Sequence, residues 1–274
     1  MPEQVRYHML RPHQIVERRK ACPVAYLPIG TIEWHGVHNP VGADTLQAEG
    51  MANLCARKGG GLAFPPLYYA ENRIEQLVCS GRGPLREMEL PDDSFAPENQ
   101  LFTATEQAMH YNHLLIHILD QLDTLGFEVG VLVAGHYPLI DYARAAVLQY
   151  NQRNSARRNR RAREGMLAWA FVDFLLVRGQ YDCAGDHGGG WETSHVMALH
   201  PDTVDLSLLP PKGEKLIGCG GRMAPQDANA PFGAATMEAA ADIAVQEVKH
   251  RLEHRAMYTK HGRYLQEGLW KSGS

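Results

Sequence analysis

Short apolar segments that stop at glycine or proline alternate along this chain with longer segments of helical character. Apolar runs of this length between turn residues are typical of buried strands. We predict strands at residues 23–29, 62–67, 128–133 and 167–177, the second shortened by Pro65-Pro66. We predict helices at residues 44–58, 102–125, 139–153, 191–199 and 234–254. Strands that alternate with such helices predict a three-layer α/β/α sandwich around a mainly parallel sheet.

The size and composition of the chain fit one domain. Of its 274 residues, 45% are hydrophobic, which is enough to bury a large core. We therefore expect residues 1–274 to form a single domain. Residues 70–100 show no clear period. Because irregular segments of this length in a compact domain are often functional, we expect a lid or a contact segment there.

The charge and the cysteine content argue against several classes of function. The 31 acidic residues slightly exceed the 27 basic ones, so the balance gives no reason to expect a nucleic-acid partner. Residues 153–163 carry six arginines without interleaved aromatic residues, which favours a solvated helix end or a subunit contact. No apolar stretch is long enough for a membrane span, and the first residues lack the apolar core of a secretory signal. Five scattered cysteines form no CxxC pair, so we expect a cytoplasmic protein without a disulfide framework.

The first polar cluster follows the predicted strand at 23–29 and reads GTIEWHGVHNP. Side chains alternate along an extended backbone, so Glu33 and His35 would point to the same side. A carboxylate and an imidazole that converge on one point suit Zn, Mn or Fe. Asp44 follows at the predicted start of the next helix. It could complete a metal site or serve only as the N-cap of the helix.

Two further clusters also follow predicted strands. His136 lies directly after the strand at 128–133, and His187 lies in the segment DHGGGWETS, where three glycines leave space for a ligand. Glu192 lies in the first turn of a predicted helix, where its charge would also interact favourably with the helix dipole. In parallel sheets, ligands bind beyond the carboxyl ends of the strands. The three clusters therefore predict one site at that edge of the sheet.

Four segments resemble the signature of the creatininase (creatinine amidohydrolase) family. They read LPIGTIEWHGVHNPVGADT, AGHYP, DHGGGWETSHVMALHPDTVDL and PFGAATMEAA, and they occur in the family's order. The resemblance covers roughly residues 23–240. It implies a mainly parallel α/β fold, one or two divalent metals (Zn or Mn, with Fe as an alternative) and a homo-oligomer, often a hexamer.

The resemblance also implies roles for individual residues. Family metal-ligand positions are occupied here by Glu33, His35, Asp44 and His136. Asp44 takes the position of the carboxylate that bridges the two metals. His187 falls on a histidine implicated in proton transfer or substrate binding, and Tyr137 falls on a substrate-side position.

The chain departs from the family pattern at two acidic positions. The family turn GHYEN carries a glutamate ligand of the second metal where this chain has Pro138. The glutamate of the family's HAGE motif is replaced by Gly190. Glu192 is the nearby acid that we predict as a replacement ligand. We therefore interpret the chain as a divergent member for which creatinine is not the expected substrate.

Other residues are assigned to the surroundings of the site. Trp191 lies beside three glycines, and we interpret it as a wall of the substrate pocket. We expect His38 to shape the pocket or contact the substrate. Three further histidines share one face of a predicted helix, but no carboxylate accompanies them, so an exposed or subunit-contact face is favoured over a metal site for His110, His113 and His117.

The predicted function is metal-dependent hydrolysis of a small, polar, cyclic metabolite. Water activated by the metal would attack a carbonyl, and His187 would protonate the leaving group. We favour cleavage of an amide C–N bond. One alternative is ring-opening C–C hydrolysis of an oxidised, inositol-type cyclic diketone. The others are a non-catalytic scaffold that binds a metabolite or a partner with a residual metal, and a metal-dependent lyase or isomerase.

Overall fold

The computed structural model describes residues 4–70, 82–157 and 165–258, except for the side chains of residues 154–157. Within these residues a four-stranded sheet has the order β2-β1-β3-β4. Its strands are β1 (Val24–Ile29), β2 (Leu62–Ala63), β3 (Val129–Ala134) and β4 (Leu167–Val172), and each neighbouring pair is parallel. Ile29, Ala134 and Val172 stand opposite one another. The carboxyl ends of the three long strands therefore coincide at one edge, and the predicted parallel sheet is confirmed.

The helices of the described residues cover both faces of the sheet. They are α1 (Pro12–Ala21), α2 (Ala43–Gly59), α3 (Gly83–Glu87), α4 (Ala104–Thr124), α5 (Leu139–Arg157), α6 (Asp173–Val177), α7 (Gly190–Leu199) and α8 (Ala230–Glu253). Short 3₁₀ helices occur at Tyr7–Met9, Pro97–Asn99, Pro201–Thr203, Leu206–Leu208, Pro225–Asp227 and Arg255–Tyr258. The five predicted helices correspond to α2, α4, α5, α7 and α8 and are confirmed. At the start of α4, Thr103 and Glu106 form a reciprocal capping box, which fixes where the helix begins.

The predicted strand at 167–177 is wrong in its second half. The strand ends at Val172, and Asp173–Val177 forms α6 instead. The residues after Asp173 read FLLV, and Val177 is fully buried. Because a short buried helix and a buried strand are both continuous apolar runs, hydrophobic periodicity does not separate them.

Two apolar clusters lie between the sheet and the two helical layers of the sandwich. One lies between α4 and α5 and the sheet face that carries Leu27 and Leu132. The other lies between α2, α7 and α8 and the opposite face, which carries Tyr26 and Val131. Neighbouring residues of β1 and β3 thus point to opposite layers, as the two-residue period of a strand requires. The predicted three-layer α/β/α sandwich is confirmed.

Two glycines at strand ends let α2 approach the edge of the sheet. A Cβ atom added at Gly135, directly after β3, would lie 1.8 Å from the carbonyl oxygen of Asp44. A Cβ atom added at Gly30, directly after β1, would lie 2.3 Å from the hydroxyl oxygen of Thr45. Any larger residue at either position would push the first turn of α2 away from the strands. The two glycines therefore determine how close Asp44 comes to the loops that follow β1 and β3.

The described part of the predicted excursion packs beside the first polar cluster. Residues 82–100 contain α3 and the 3₁₀ helix at Pro97–Asn99, and Leu85 and Phe95 form a small apolar cluster with Trp34. Residues 71–81 lie outside the described residues, as does most of the arginine-rich stretch at 153–163. Among the helices that the structure describes, none has the length and apolar character that a membrane span requires.

Candidate metal centre

The polar residues predicted from three separate segments meet at the carboxyl edge of the sheet. Glu33 and His35 lie in the loop after β1, and His136 is the second residue after β3. Asp44 is the second residue of α2, and Glu192 is the third residue of α7. The prediction of one site at this edge therefore agrees with the structure.

The carboxylate of Asp44 faces two histidines with its two oxygens. Asp44 Oδ1 lies 3.0 Å from His35 Nε2, whereas Asp44 Oδ2 lies 3.1 Å from His136 Nδ1. A second carboxylate stands at each histidine. Glu192 Oε2 is 3.4 Å from His35 Nε2, and Glu33 Oε1 is 3.1 Å from His136 Nδ1.

These contacts define two groups of potential ligands that share Asp44. We call Glu33, Asp44 and His136 the Glu33 group, and His35, Asp44 and Glu192 the Glu192 group. Within each group the ligand atoms lie within 4.8 Å of one another. The sequence-based view of Asp44 as a simple N-cap is wrong, because Gly42 occupies the N-cap position.

The three buried carboxylates of the site favour the binding of a cation. Glu33, Asp44 and Glu192 are all buried, and within the described residues their ion pairs are made to histidines alone. Glu33 Oε1 and Asp44 Oδ2 have no hydrogen bond of acceptable geometry. Buried carboxylates are costly unless they are paired or bind a metal. Imidazole nitrogens and carboxylate oxygens are also the ligand types that Zn and Mn accept, so the residues present fit one divalent ion in each group.

The carboxylates favour the protonated forms of the histidines that face them. Burial by itself disfavours the charged form of His35, but Asp44 and the other two carboxylates outweigh it and raise the pKa of His35 to about 10. The same balance raises the pKa of His136 well above its usual value. Burial by itself would raise the pKa of Asp44, but the two facing imidazoles lower it well below its usual range.

Glu192 is held in the site because another residue caps its helix. Asp186 accepts hydrogen bonds from the backbone N–H groups of Trp191 (2.8 Å) and Glu192 (3.1 Å). Glu192 Oε2 accepts the N–H of Gly188 at 2.8 Å and remains directed at His35. Burial raises the pKa of Glu192 well above its ordinary value, and burial also raises the pKa of Asp186 to about 6. The sequence analysis did not assign Asp186, although an aspartate ahead of a helix is a capping signal.

His187 lies on the side of the site that is open to solvent. Its Nδ1 is 3.3 Å from Glu33 Oε1, its ring centre is 4.6 Å from that of His35, and its side chain is 35% exposed. Burial, followed by the charge of His35, lowers the pKa of His187. A pair of backbone hydrogen bonds to Gly220 fixes the residue. His187 forms a third group of potential ligands with Glu33 and His35, and its Nε2 atom is buried without a hydrogen-bond partner among the described residues.

Two of the three predicted substrate contacts lie in the interior. Trp191 is fully buried and packs against Tyr181, His195 and Phe232, so it belongs to the core and not to a pocket wall. His38 is also buried, and its Nε2 lies 3.0 Å from the hydroxyl of Thr193. Burial lowers the pKa of His38 to about 4, and this position fits the expectation that His38 shapes the pocket.

Tyr137, the third predicted substrate contact, is accessible. Its side chain follows His136 directly and is 56% exposed, with its ring packed against Phe174 at 5.4 Å. A role in substrate binding stays a prediction.

The packing around Gly190 leaves no space for the glutamate that the family pattern has at this position. A Cβ atom added there would lie 2.3 Å from Met223 Cγ and 2.8 Å from the carbonyl oxygen of Ala224. The space that a glutamate would need at this position is therefore occupied.

Three histidines of α4 that the sequence analysis assigned to an exposed face are His110, His113 and His117. All three are exposed, and none of them belongs to a ligand group found among the described residues.

The comparisons with known proteins agree with the fold and with the site. The model of the creatininase (creatinine amidohydrolase) family matches residues 8–81 and 100–248. Over 86 residues the chain is 30% identical to the 3-dehydro-scyllo-inosose hydrolase of Thermotoga maritima, a match that covers 31% of this chain and 28% of that enzyme.

Two creatininase structures illustrate the similarity in fold. A manganese form is 20% identical, with a TM-score of 0.63 over 92% of this chain and 99% of the other. A mutant creatininase of Zn–Zn type is 20% identical, with a TM-score of 0.65 over 92% of this chain and 98% of the other. The family match extends over most of the chain. The chain therefore belongs to the creatininase family and is a metal-dependent hydrolase.

Proposed function

We propose that this enzyme hydrolyses a carbonyl compound with two divalent ions, one held by the Glu33 group and one by the Glu192 group. The observation that carries the proposal is the orientation of Asp44, whose two oxygens face His35 and His136 at 3.0 Å and 3.1 Å. Glu192 then takes the place of the family glutamate that is absent at Pro138. The existence of zinc and manganese forms of creatininase supports either metal.

The chemistry divides between the ions and the side chains. A divalent ion bound here would lower the pKa of bound water towards about 7 and polarise a substrate carbonyl. Neutral His187, whose Nδ1 lies 3.3 Å from Glu33 Oε1, is placed to accept the proton of the attacking water and to deliver it to the leaving atom. Tyr137 provides a hydroxyl group at the accessible edge.

We propose a diketo-inositol as the substrate class. The sequence analysis favoured an amide, but the partial match to an enzyme that is named 3-dehydro-scyllo-inosose hydrolase supports the ring-opening alternative. In that reaction water adds hydroxyl to one carbonyl of a ring 1,3-diketone, and the C–C bond to the carbon between the two carbonyls breaks. That carbon departs as the enolate of the second carbonyl and receives the proton from His187. A cyclic amide is the second candidate, because the matching family model is that of creatinine amidohydrolase.

The test is a substrate screen with metal-loaded enzyme. Diketo-inositols, cyclic amides and formamides would be compared, with His187→Gln as the matched inactive control. Ring opening of the diketo-inositols with incorporation of one oxygen-18 atom from labelled water supports the proposal. Turnover without label would indicate a lyase or an isomerase. No turnover of any compound by a protein that holds two ions would favour the non-catalytic scaffold.

The assembly of the enzyme is a separate proposal. The resemblance to creatininase predicts a homo-oligomer, and a hexamer is the expected form. Light scattering coupled to size-exclusion chromatography measures the mass directly. A mass that corresponds to the 30.5 kDa monomer would contradict this expectation.

A further inference from the structure

A buried polar network connects four helices beside the candidate metal centre. His195 is on α7 and is 1% exposed. Its Nδ1 lies 3.1 Å from Gln47 Oε1 on α2 and 3.3 Å from Asp173 Oδ2 at the start of α6. Its Nε2 lies 2.8 Å from the hydroxyl oxygen of Thr236 on α8. The network thus joins α2, α6, α7 and α8.

Both nitrogens of the His195 ring have polar partners. The amide nitrogen of Gln47 donates to the carbonyl of Ala43, so its oxygen remains an acceptor for His195 Nδ1–H. The Thr236 hydroxyl donates within α8 to the carbonyls of Phe232 and Gly233, and its oxygen lies 2.8 Å from His195 Nε2. Burial lowers the pKa of His195. A buried ring with both nitrogens bonded specifies one relative placement of the helices around it.

Gln47 and His195 each lie about one helical turn beyond a residue of the Glu192 group. Gln47 follows Asp44 by three residues on α2, and His195 follows Glu192 by three residues on α7. Residues three apart lie on the same helix face. The contact between Gln47 and His195 therefore joins the same two helix faces that carry Asp44 and Glu192.

We propose that His195 is a positioning residue that sets the separation of α7 from α2 and thereby places Glu192 opposite Asp44 and His35. This inference rests on the proposed function, because Glu192 needs that placement only if the Glu192 group binds an ion. α2 is already fixed against the strands at Gly30 and Gly135. Loss of the contact between Gln47 and His195 should therefore move α7, and weaken the Glu192 group more than the Glu33 group.

The test compares two variants that each remove one partner of the same ring. Gln47→Met keeps the length of the side chain and removes the acceptor on α2, whereas Thr236→Val removes the hydroxyl group on α8. We expect Gln47→Met to weaken binding of the second ion about tenfold or more, the size typical of residues that orient metal ligands. Thr236→Val should retain both ions at a comparable loss of thermal stability. The readouts are ions per chain by mass spectrometry and dissociation constants by chelator competition.

A second pair of variants, both at His195, separates the positioning role from a general loss of folding. His195→Asn keeps a donor near the position of Nδ1 and should retain the second ion, whereas His195→Gln places its polar group towards Thr236 and should lose it. Equal retention of two ions by Gln47→Met and Thr236→Val, or equal loss in both, would overturn the positioning role. A wild-type protein that binds no divalent ion would overturn the proposed function itself.

Discussion

The substitution Gly135→Ala tests how the fold places the shared carboxylate. The added Cβ atom would lie 1.8 Å from the carbonyl oxygen of Asp44, whereas real Cβ contacts essentially never fall below 3.0 Å. The first turn of α2 must therefore retreat by at least about 1.2 Å. Metal–ligand distances tolerate a variation of about 0.2 Å. A displaced Asp44 therefore cannot contribute an oxygen ligand to both the Glu33 group and the Glu192 group. Overpacking of this kind costs about 1–3 kcal/mol.

The assay measures stability and bound metal in the same samples. For a protein of about this size, 1 kcal/mol lowers the melting temperature by roughly 2–4 °C, so we expect a decrease of roughly 2–12 °C. We also expect fewer than two ions per chain. Gly179→Ala is the matched control, because nothing lies within 4 Å of a Cβ atom at that position. A Gly135→Ala protein with the melting temperature and metal content of the wild type would refute the steric reasoning.

Three further predictions concern the chemistry and the packing of the site. His35 and His136 carry protons at pH 7 in the metal-free enzyme, because the carboxylates raise their pKa values. Metal binding should therefore release protons, and calorimetry in two buffers of different ionisation enthalpy should show this release; uptake or no transfer would contradict the charge balance. His187→Gln should lower kcat by about 10²–10⁴-fold while two ions remain bound, and loss of an ion would make His187 a ligand instead of a proton carrier. Gly190→Ala should destabilise the enzyme by about 1–3 kcal/mol, because its Cβ would lie 2.3 Å from Met223 Cγ; an unchanged melting temperature would show that the Met223 side chain moves aside without cost.

The sheet was predictable because its strands are buried on both faces. β1 and β3 read as continuous apolar runs with glycine directly after them, and the intervening segments have helical length. The same feature limited the prediction at α6, where four apolar residues after Asp173 carry no periodicity that separates a helix from a strand. The two-residue strand β2 shows the effect of Pro65-Pro66, which ends the apolar run early.

The sequence predicted which residues form the candidate metal centre, but it did not predict how they separate into two ligand groups. Alternation along an extended chain indicated that Glu33 and His35 converge. The separation into two groups depends on which oxygen of Asp44 faces which histidine, and that orientation follows from the close approach of α2 to the strand ends. Glu192 was predicted as a replacement ligand and lies 3.4 Å from His35 Nε2, whereas Trp191 was predicted as a pocket wall and lies in the core. Sequence spacing does not show which side of α7 faces the core.

The direct test of the two-ion account is the metal content of protein purified without chelator. The account predicts two divalent ions per chain in the wild type, one in Glu192→Gln, and a strong loss of both in Asp44→Asn, because Asp44 belongs to both groups. A wild-type protein without bound divalent ions, or a Glu192→Gln protein that still binds two with unchanged affinity, would contradict it.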